Sequence, residues 1–385
     1  MKGWINRPLS MVVNTSQKAK PTSMGAMIWN LNLDQIESHS GRVLQKVYAN
    51  ANELGTSTYA FEPRTVLYSK LRPYLNKVVV ADEAGVATTE LVPLRCDTDE
   101  VLPEYLAYFL RSPDFLKFAT MVVAGAKMPR MVMSEFWNYK VPLPPFREQI
   151  RIAAILDQAD ALQIKRREAL AQLDSLTQSI FIEMFGGSNL FDGTTLGKIT
   201  NLKRGPFGGA LKKEIFVEEG LMVYEQRNAI QDDCMTGRYY ISEVKYREME
   251  DFAVMPADLI VSCSGTLGKV AIVPDGAPKG IINQALLRVR VNEEKVTSLY
   301  IKHALESSDV QNKLLGLSHG TGLQNFLPMS EVKSLRLPLP PIALQRKFAS
   351  RINALEKQKS IYCASLTEMD ALFASLQHRA FRGEL

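Results

Sequence analysis

The sequence predicts a mixed α/β protein in which one design, a globular domain followed by a long helix, occurs twice. The first observation is the phrase Pro142-Leu143-Pro144-Pro145, which returns as Pro338-Leu339-Pro340-Pro341. The second is a set of residues that match at one fixed offset behind the two phrases: Gln149 and Gln345, Ala153 and Ala349, Asp174 and Asp370, Leu176 and Leu372, Phe185 and Phe381, and Gly187 and Gly383. The repeat predicts four segments, residues 1–145, 146–190, 191–341 and 342–385.

Each proline phrase opens a segment without Gly or Pro, Phe146 to Phe185 and Ile342 to Phe381. Both segments are rich in residues that favour helix, and the preceding Pro-Pro pair gives each a sharp start. Their apolar residues alternate spacings of three and four, the pattern of a coiled-coil seam. The first predicted seam is Ile152, Ile155, Ala159, Leu162, Arg166, Ala169, Leu173, Leu176 and Ile180. The second is Phe348, Ile352, Leu355, Lys359, Tyr362, Leu366, Met369, Phe373, Leu376 and Ala380.

These spacings predict that the two long helices pair with each other as an antiparallel coiled coil. A helix of this length extends about 60 Å, at about 1.5 Å per residue. Two separate helices, each packed on its own domain, are the alternative. Arg166 is the one polar residue in the first seam, and we expect it either to pair with an acid on the opposite helix or to lie exposed and meet a partner.

The globular segments mix short β-like runs with helical stretches, and they repeat each other more loosely than the helices do. Leu67-Tyr68-Ser69 matches Ile260-Val261-Ser262, and Leu9-Ser10-Met11 lies where Leu196-Gly197-Lys198 lies. The residues between these matches differ. Two copies of a scaffold with different loops are expected when the two domains recognise two different targets.

The composition narrows the setting of the protein. The net charge of +5 at pH 7 permits a nucleic-acid partner without requiring one. The four cysteines include no Cys-x-x-Cys pair and the four histidines are dispersed, so we expect no metal site and a reducing compartment. No run approaches the roughly 18 apolar residues of a membrane span. These observations predict a cytoplasmic protein with no membrane partner.

The chain resembles, along its whole length, the specificity subunits of type I restriction-modification systems. The resemblance rests on the twice-used proline phrase with its following Gln149 or Gln345, and on the two long helices. It rests also on the loop from Lys203 to Lys213, and on the segment from Asn325 to Pro341 that runs into the second phrase. The duplicated order of domain, proline phrase and long helix is the specific part.

The resemblance implies two target recognition domains, residues 1–145 and 191–341, each reading one half of a gapped, two-part DNA sequence. The helical segments, residues 146–190 and 342–385, would fix the unread gap and present a docking surface for two modification subunits. Those partners would carry S-adenosylmethionine and methylate adenine, and a motor-nuclease restriction subunit can join to cleave. The chain itself would then be a non-catalytic subunit that recognises double-stranded DNA and carries no cofactor of its own.

A DNA-reading role requires cations for phosphates and polar side chains for base edges. The candidates in the second domain form a basic glycine loop, a later turn and a late loop: Lys203, Arg204, Phe207, Lys212 and Lys213, then Ser262, Ser264, Thr266 and Lys269, then His319, Thr321, Gln324 and Asn325. The candidates in the first domain occupy the matching turn and the matching late loop: Lys70 and Arg72, then Lys127 and Arg130. The counterpart of the basic glycine loop, residues 18–23, lacks the Phe and the paired glycines. For every group a plain solvated loop is the alternative.

An enzymatic role finds little support in the sequence. No Walker-type phosphate loop is present, and Gly205-Pro206-Phe207-Gly208-Gly209 lacks the spacing of a dinucleotide fingerprint. Leu143-Pro144-Pro145-Phe146 has Leu where the related loop of adenine methyltransferases has Asn or Asp to hydrogen-bond the target amine. The main rival is a coiled-coil adaptor whose domains bind proteins and never touch DNA. The steep salt dependence of phosphate contacts distinguishes the two.

Overall fold

The computed structural model of the chain describes residues 4–15, 27–52, 54, 58–97, 99–186, 191–314 and 326–385. The chain forms two compact units. The first unit comprises Met1–Ala169 and Tyr362–Leu385, and the second comprises Leu170–Ile361. Each unit therefore holds one globular domain with parts of the first long helix, Phe146–Phe185, and of the second long helix, Ile342–Phe381.

The first unit contains two four-stranded sheets. One is antiparallel, in the order Val13–Thr15, Leu91–Cys96, Val66–Ser69, Val78–Val80. The other has a parallel central pair, in the order Tyr48–Asn50, Met27–Leu31, Gly85–Thr88, Thr58–Phe61. Two further pairs are Ile5–Pro8 with Lys140–Leu143 and Val123–Ala124 with Arg130–Met131. The shorter helices are Leu9–Val12, Pro103–Leu110, Pro113–Met121 and Met133–Asn138, with 3-10 turns at Leu33–Gln35 and Pro73–Leu75.

The second unit repeats this plan. Its antiparallel sheet has the order Thr200–Arg204, Leu286–Val291, Leu259–Ser262, Val270–Ile272. Its other sheet has one parallel pair, Leu221–Tyr224 with Gly280–Ile282, in the order Phe216–Val217, Tyr240–Ile241, Leu221–Tyr224, Gly280–Ile282, Ala253–Val254. Gly193–Thr195 pairs with Arg336–Pro338. The shorter helices are Leu196–Ile199, Gln226–Ile230, Glu243–Glu248, Ser298–Glu306, Ser308–Leu314 and Met329–Ser334, with 3-10 turns at Gly208–Leu211, Lys213–Ile215 and Glu250–Phe252.

The matches found between the globular segments correspond to matching elements of the fold. Val66–Ser69 and Leu259–Ser262 are each an interior strand of the antiparallel sheet, and each is buried along its whole length. Such strands lie between two packed layers, which is why they read as continuous apolar runs. Leu9–Val12 and Leu196–Ile199 are likewise the same short helix in the two units. The predicted mixed α/β fold with an internal repeat is therefore confirmed.

A buried glutamine fixes each long helix to its domain. The Gln149 side chain accepts a hydrogen bond from Leu102 N at 2.9 Å, and its amide donates to Glu100 O at 2.9 Å and to Pro144 O at 3.0 Å. Gln345 repeats the arrangement with the corresponding residues: it accepts from Thr297 N at 2.9 Å and donates to Lys295 O at 3.1 Å and Pro340 O at 2.8 Å. We call these two sets of bonds the glutamine clamps. A buried amide with all these partners satisfied holds its neighbours in one geometry.

A tyrosine connects each domain to both long helices. Tyr105 Oη donates to Pro142 O at 2.6 Å, and its ring lies 5.4 Å from that of Phe381. Tyr300 Oη donates to Pro338 O at 2.8 Å, and its ring lies 5.0 Å from that of Phe185. Each domain therefore packs on the start of one long helix and on the end of the other. This arrangement explains why the helix ends, and not only the helix starts, repeat in the sequence.

The two long helices pair in antiparallel fashion within each unit. In the first unit, Gln163 Nε2 donates to Met369 O at 3.1 Å, while nearer the helix start Arg151 Nη2 donates to Leu385 O at 2.9 Å. In the second unit, Lys359 bridges to Asp174 at 2.8 Å, and the Phe181 ring lies 5.6 Å from that of Phe348. Partner numbers fall along one helix as they rise along the other. The predicted antiparallel pairing is confirmed, and no described helix combines the length and apolarity needed to cross a membrane.

The predicted seam of the first long helix is wrong at two positions. Leu162 and Leu176 are 55% and 43% exposed, and the buried positions belong to the neighbouring Gln163 and Thr177. These polar side chains tolerate burial because each has a backbone acceptor: Gln163 bonds Met369 O, and Thr177 Oγ1 donates to Leu173 O at 3.1 Å. Apolar spacing alone therefore placed the seam one residue too early at these turns.

Arg166 contacts an aromatic ring of the opposite helix, whereas the sequence predicted either an acidic partner or an exposed side chain that meets a partner. Its guanidinium lies 4.2 Å from the centre of the Tyr362 ring. The planar guanidinium stacks well on an aromatic face, and the arrangement needs no buried counter-charge. Arg166 still marks the pairing of the two helices in the first unit, through a cation–π contact.

His303 occupies in the second unit the place that Tyr108 has in the first. Its ring lies 5.9 Å from that of Phe181 and 5.3 Å from that of Phe348. Burial lowers the pKa of His303 from 6.5 to about 4; Lys302 and Lys359 act in the same direction and Asp232 opposes them. The imidazole is therefore neutral at pH 7 and serves as a packing group.

We expect Gln345→Leu to lower the free energy of unfolding by about 2–4 kcal/mol, because buried backbone groups lose their partners. Urea unfolding of the purified chain measures the change. Gln158→Leu, at an exposed position of the first long helix, is the control and should shift stability by less than about 0.5 kcal/mol. If the two substitutions lowered the free energy of unfolding equally, the buried hydrogen bonds of Gln345 would contribute no more than an exposed glutamine does.

We expect the chain to lose stability at acid pH partly through His303. The folded pKa lies below the unfolded value of 6.5, so the unfolded chain takes up a proton first, and stability present above pH 6.5 is lost as the pH falls toward 4. His303→Phe should reduce that loss between pH 7 and pH 4.5 by about 2 kcal/mol. Urea unfolding at the two pH values measures it, with His378→Phe as the exposed control. Parallel pH dependence in wild type and His303→Phe would contradict the assignment.

Candidate nucleic-acid interface

The basic glycine loop of the second unit begins with a lysine that already has a partner. Lys203 lies near the end of Thr200–Arg204. Its Nζ bridges to Asp251 Oδ2 at 2.8 Å and lies 4.8 Å from the centre of the Phe252 ring. The hydrogen bond from Lys203 lowers the pKa of Asp251. The carboxylate of Asp251 therefore offsets the positive charge of Lys203 and weakens its attraction for a phosphate.

The guanidinium of Arg204 contacts its own domain. Its Nη2 donates to Cys263 O at 3.3 Å, and its guanidinium lies 5.5 Å from the centre of the Phe326 ring. Its buried Nε has no hydrogen-bond partner among the described residues. Next to it, Gly205 passes so close to Asn283 that a Cβ there would lie 1.8 Å from Asn283 O. Only glycine fits this crossing, so the loop leaves the sheet at a fixed place.

The outer part of this loop exposes an aromatic ring and two cations. Phe207 is 79% exposed. Lys212 and Lys213 are exposed, and no ion pair involves them in the part of the chain that the structure describes. An exposed ring offers a stacking or wedging face, and free ammonium groups suit phosphates.

The later turn of the second unit exposes three of its four candidate residues. Ser264, Thr266 and Lys269 are exposed between Leu259–Ser262 and Val270–Ile272. Ser262 is fully buried: its Oγ donates to Thr266 O at 2.6 Å and accepts from Lys269 N at 2.9 Å. The Ser262 hydroxyl therefore shapes the turn and offers no polar atom to a ligand in this arrangement.

The two candidate groups of the first unit lie together. Arg72 N donates to Pro129 O at 2.7 Å, and Met131 N donates to Lys70 O at 2.8 Å. The turn that carries Lys70 and Arg72 is thus bonded to the loop that carries Lys127 and Arg130. Lys127 and Arg72 are exposed. Arg130 forms an ion pair with Glu90 through three hydrogen bonds, the shortest of which is 2.9 Å.

The late loop of the second unit lies outside the described residues. It carries four of the predicted base-reading side chains: His319, Thr321, Gln324 and Asn325. The segment around residues 18–23 of the first unit also lies outside them. Contacts of these residues with DNA stay predictions.

Two further side chains belong to these surfaces and were not singled out from the sequence. Tyr74 is 44% exposed, two residues after Arg72, and adds an aromatic ring to the turn that carries Lys70 and Arg72. The sequence could have indicated Tyr74 by its position directly after Arg72-Pro73, next to a candidate cation. Gln226 lies against Gly265, so that a Cβ there would be 3.4 Å from its Oε1. Because Gln226 and Gly265 are distant in sequence, spacing gave no signal for this neighbour.

The family model and the curated relatives point to the same family. Residues 49–174 and 195–364 match the type I restriction modification DNA specificity domain. The type I restriction enzyme EcoDI specificity subunit of Escherichia coli is 27% identical over 158 residues, which are 40% of this chain and 35% of that protein. The StySPI specificity subunit of Salmonella potsdam is 21% identical over a gapped alignment of 432 positions, which covers 100% of this chain and 89% of that protein. The chain thus spans only 35% of the length of the Escherichia coli relative.

A solved structure supports the fold. A chain from a structure of the type I R-M system, described by its complex assembly and conformational transition, superposes with a TM-score of 0.66 at 18% identity. The superposition covers 100% of this chain and 99% of that one. The two family segments include well over half of the residues, and one lies mostly in each repeat. The resemblance drawn from the proline phrases and long helices is confirmed: the chain belongs to the type I restriction-modification DNA specificity family.

Proposed function

We propose that this chain is the DNA-specificity subunit of a type I restriction-modification complex and reads a two-part, gapped sequence in double-stranded DNA. One observation carries the proposal: the two units share their sheets, clamps and helix contacts, while their exposed turns carry different cations and aromatic rings. A shared frame with different outer surfaces suits two domains that read two different half-sequences. The membership of the chain in a DNA specificity family supports this assignment.

The exposed cations would bind the DNA backbone. Lys212, Lys213 and Lys269 in the second unit, with Arg72 and Lys127 in the first, would neutralise phosphates and set the register on the duplex. Phe207 and Tyr74 would contact bases or sugars. Base reading would fall to the late loops, where His319, Gln324 and Asn325 are of the types that bond base edges.

The chemistry would belong to partner subunits. We propose that two modification subunits hold S-adenosylmethionine and methylate adenine, and that a motor-nuclease subunit can join them to cleave. This chain would determine where they act and would donate no reacting group. The complex would work in the cytoplasm, where it reaches the host DNA.

The rival function is a coiled-coil adaptor that binds only proteins. The paired helices suit it equally well, but the exposed turns do not. Phosphate contacts make the affinity for DNA fall steeply with salt, whereas an adaptor would show no such affinity. Salt-dependent binding of duplex DNA by the purified complex separates the two functions.

Adenine-methylation mapping of host DNA tests the proposal. We expect a gapped two-part motif to carry methyladenine in cells that contain the chain, to lose it on deletion, and to regain it on complementation. Single-molecule sequencing provides the measurement and reveals the motif. A methylation pattern that is unchanged by deletion, together with salt-independent behaviour of the purified complex, would support the adaptor.

We expect Asp251→Asn to strengthen DNA binding roughly two- to fivefold, because it frees Lys203 from an exposed ion pair of small stability. Anisotropy titration of a duplex that carries the mapped motif measures the change. In a Lys203→Ala background the same substitution should have a much smaller effect. An equal gain in both backgrounds would mean that Asp251 acts by its charge alone and that Lys203 stays away from the DNA.

A further inference from the structure

The start of the second long helix is far more basic than the start of the first. From Ile342 to Ile361 there are five Lys or Arg residues and one acid, Glu356. The repeat-equivalent stretch, Phe146 to Lys165, has three cations and three acids. Because the two helix starts share their clamps and their packing, this difference in charge lies outside the common design.

Two of these cations, Arg346 and Lys357, belong to a continuous line of polar side chains. Arg346, Ser350, Asn353 and Lys357 follow one another at spacings of four, three and four, and all are exposed. We call these four residues the polar stripe. Such spacing places them along one face of the helix, roughly opposite the buried Phe348 and Ile352 that pack on the second domain. The polar stripe therefore faces away from the core of its unit.

The first long helix has no counterpart of the polar stripe. At the same offset it carries Ile150, Ala154, Asp157 and Ala161. Asp157 accepts a hydrogen bond from Tyr108 Oη at 2.6 Å and serves the packing of its own unit. At these positions the second long helix therefore has cations, a hydroxyl and an amide where the first has apolar and acidic residues. The packing shared by the two units does not depend on these four side chains.

Four of the five cations of the second helix start lack counter-charges among the described residues, and the fifth, Lys359, pairs with Asp174 and Glu356. No ion pair involves Arg346, Lys347, Arg351 or Lys357 within the described ranges, although carboxylates occur throughout the unit. The one nearby acid, Glu356, bonds Lys359 at 2.9 Å. Two of these unpaired cations, Arg346 and Lys357, lie on the polar stripe, and unpaired positive charge attracts a polyanion.

The chemistry of the polar stripe fits a nucleic-acid backbone better than a protein surface. Arg, Lys, Ser and Asn are the side chains that usually bond phosphate oxygens. The stripe spans about 16 Å, at about 1.5 Å per residue, which equals the axial rise of roughly five base pairs of the duplex. It contains no large apolar side chain, whereas protein interfaces have aromatic and apolar centres.

We propose that the polar stripe of the second long helix binds phosphates of the DNA duplex beside the half-sequence read by the second domain. The contact is independent of base sequence, and the first long helix does not share it. The inference rests on the proposed function and adds an asymmetry to it. The two recognition domains share one fold, but only the second long helix binds the DNA backbone at its start.

The test compares Arg346→Gln/Lys357→Gln with the charge-matched control Arg379→Gln/Arg382→Gln, which removes two exposed cations from the other end of the helix segment. Each variant is purified as the complex with its modification subunits and titrated with a duplex that carries the mapped motif, from 50 to 200 mM salt. We expect the stripe variant to lose about two from the slope of log affinity against log salt, at about 0.9 per phosphate contact. Its affinity should fall roughly tenfold, while the control and the methylated motif stay unchanged.

An unchanged slope in an intact complex would overturn the inference. So would failure of the stripe variant to assemble in size-exclusion chromatography, since the face would then dock a protein subunit. If the wild-type complex itself shows no salt-dependent affinity for DNA, the proposed function fails, and that result is distinct from a defect confined to the stripe variant.

Discussion

The fold depends on one repeated constraint, the buried amide of Gln149 and of Gln345 at the start of the long helices. Each amide bonds backbone groups that come from the domain and from the proline phrase before the helix. Buried backbone groups are costly to leave unpaired. The clamp therefore joins domain and helix in one geometry.

The interior of the two units is alike, whereas their outer surfaces have diverged. Tyr105 and Tyr300 make the same hydrogen bond to a proline-phrase carbonyl, whereas an exposed turn carries Tyr74 in the first unit and Phe207 in the second. Packing limits what the core tolerates, and no such limit applies to an exposed turn or helix face. Divergence at the surface is thus where differences in recognition are expected.

The sequence predicted what periodicity and repetition encode, and missed what distant partners decide. The proline phrases, the long helices and the interior strands were recognisable because each has a pattern of its own. The seam was displaced at Leu162 because alternating spacings of three and four leave two solutions one residue apart, and nothing local shows that Gln163 finds Met369 O. In the same way, no spacing shows that Ser262 turns inward or that Lys203 meets Asp251.

These distant pairs divide the candidate cations into two groups. Lys203 and Arg130 are neutralised by Asp251 and Glu90, while Lys212 and Lys213 are unpaired among the described residues. Unpaired cations attract any DNA, because backbone contacts carry no sequence information. A cation paired with a carboxylate carries less net charge toward a phosphate, so its net contribution is small unless the geometry of a matched site favours the contact. Under the proposed DNA-reading role, pairing some cations and leaving others free would separate affinity from specificity.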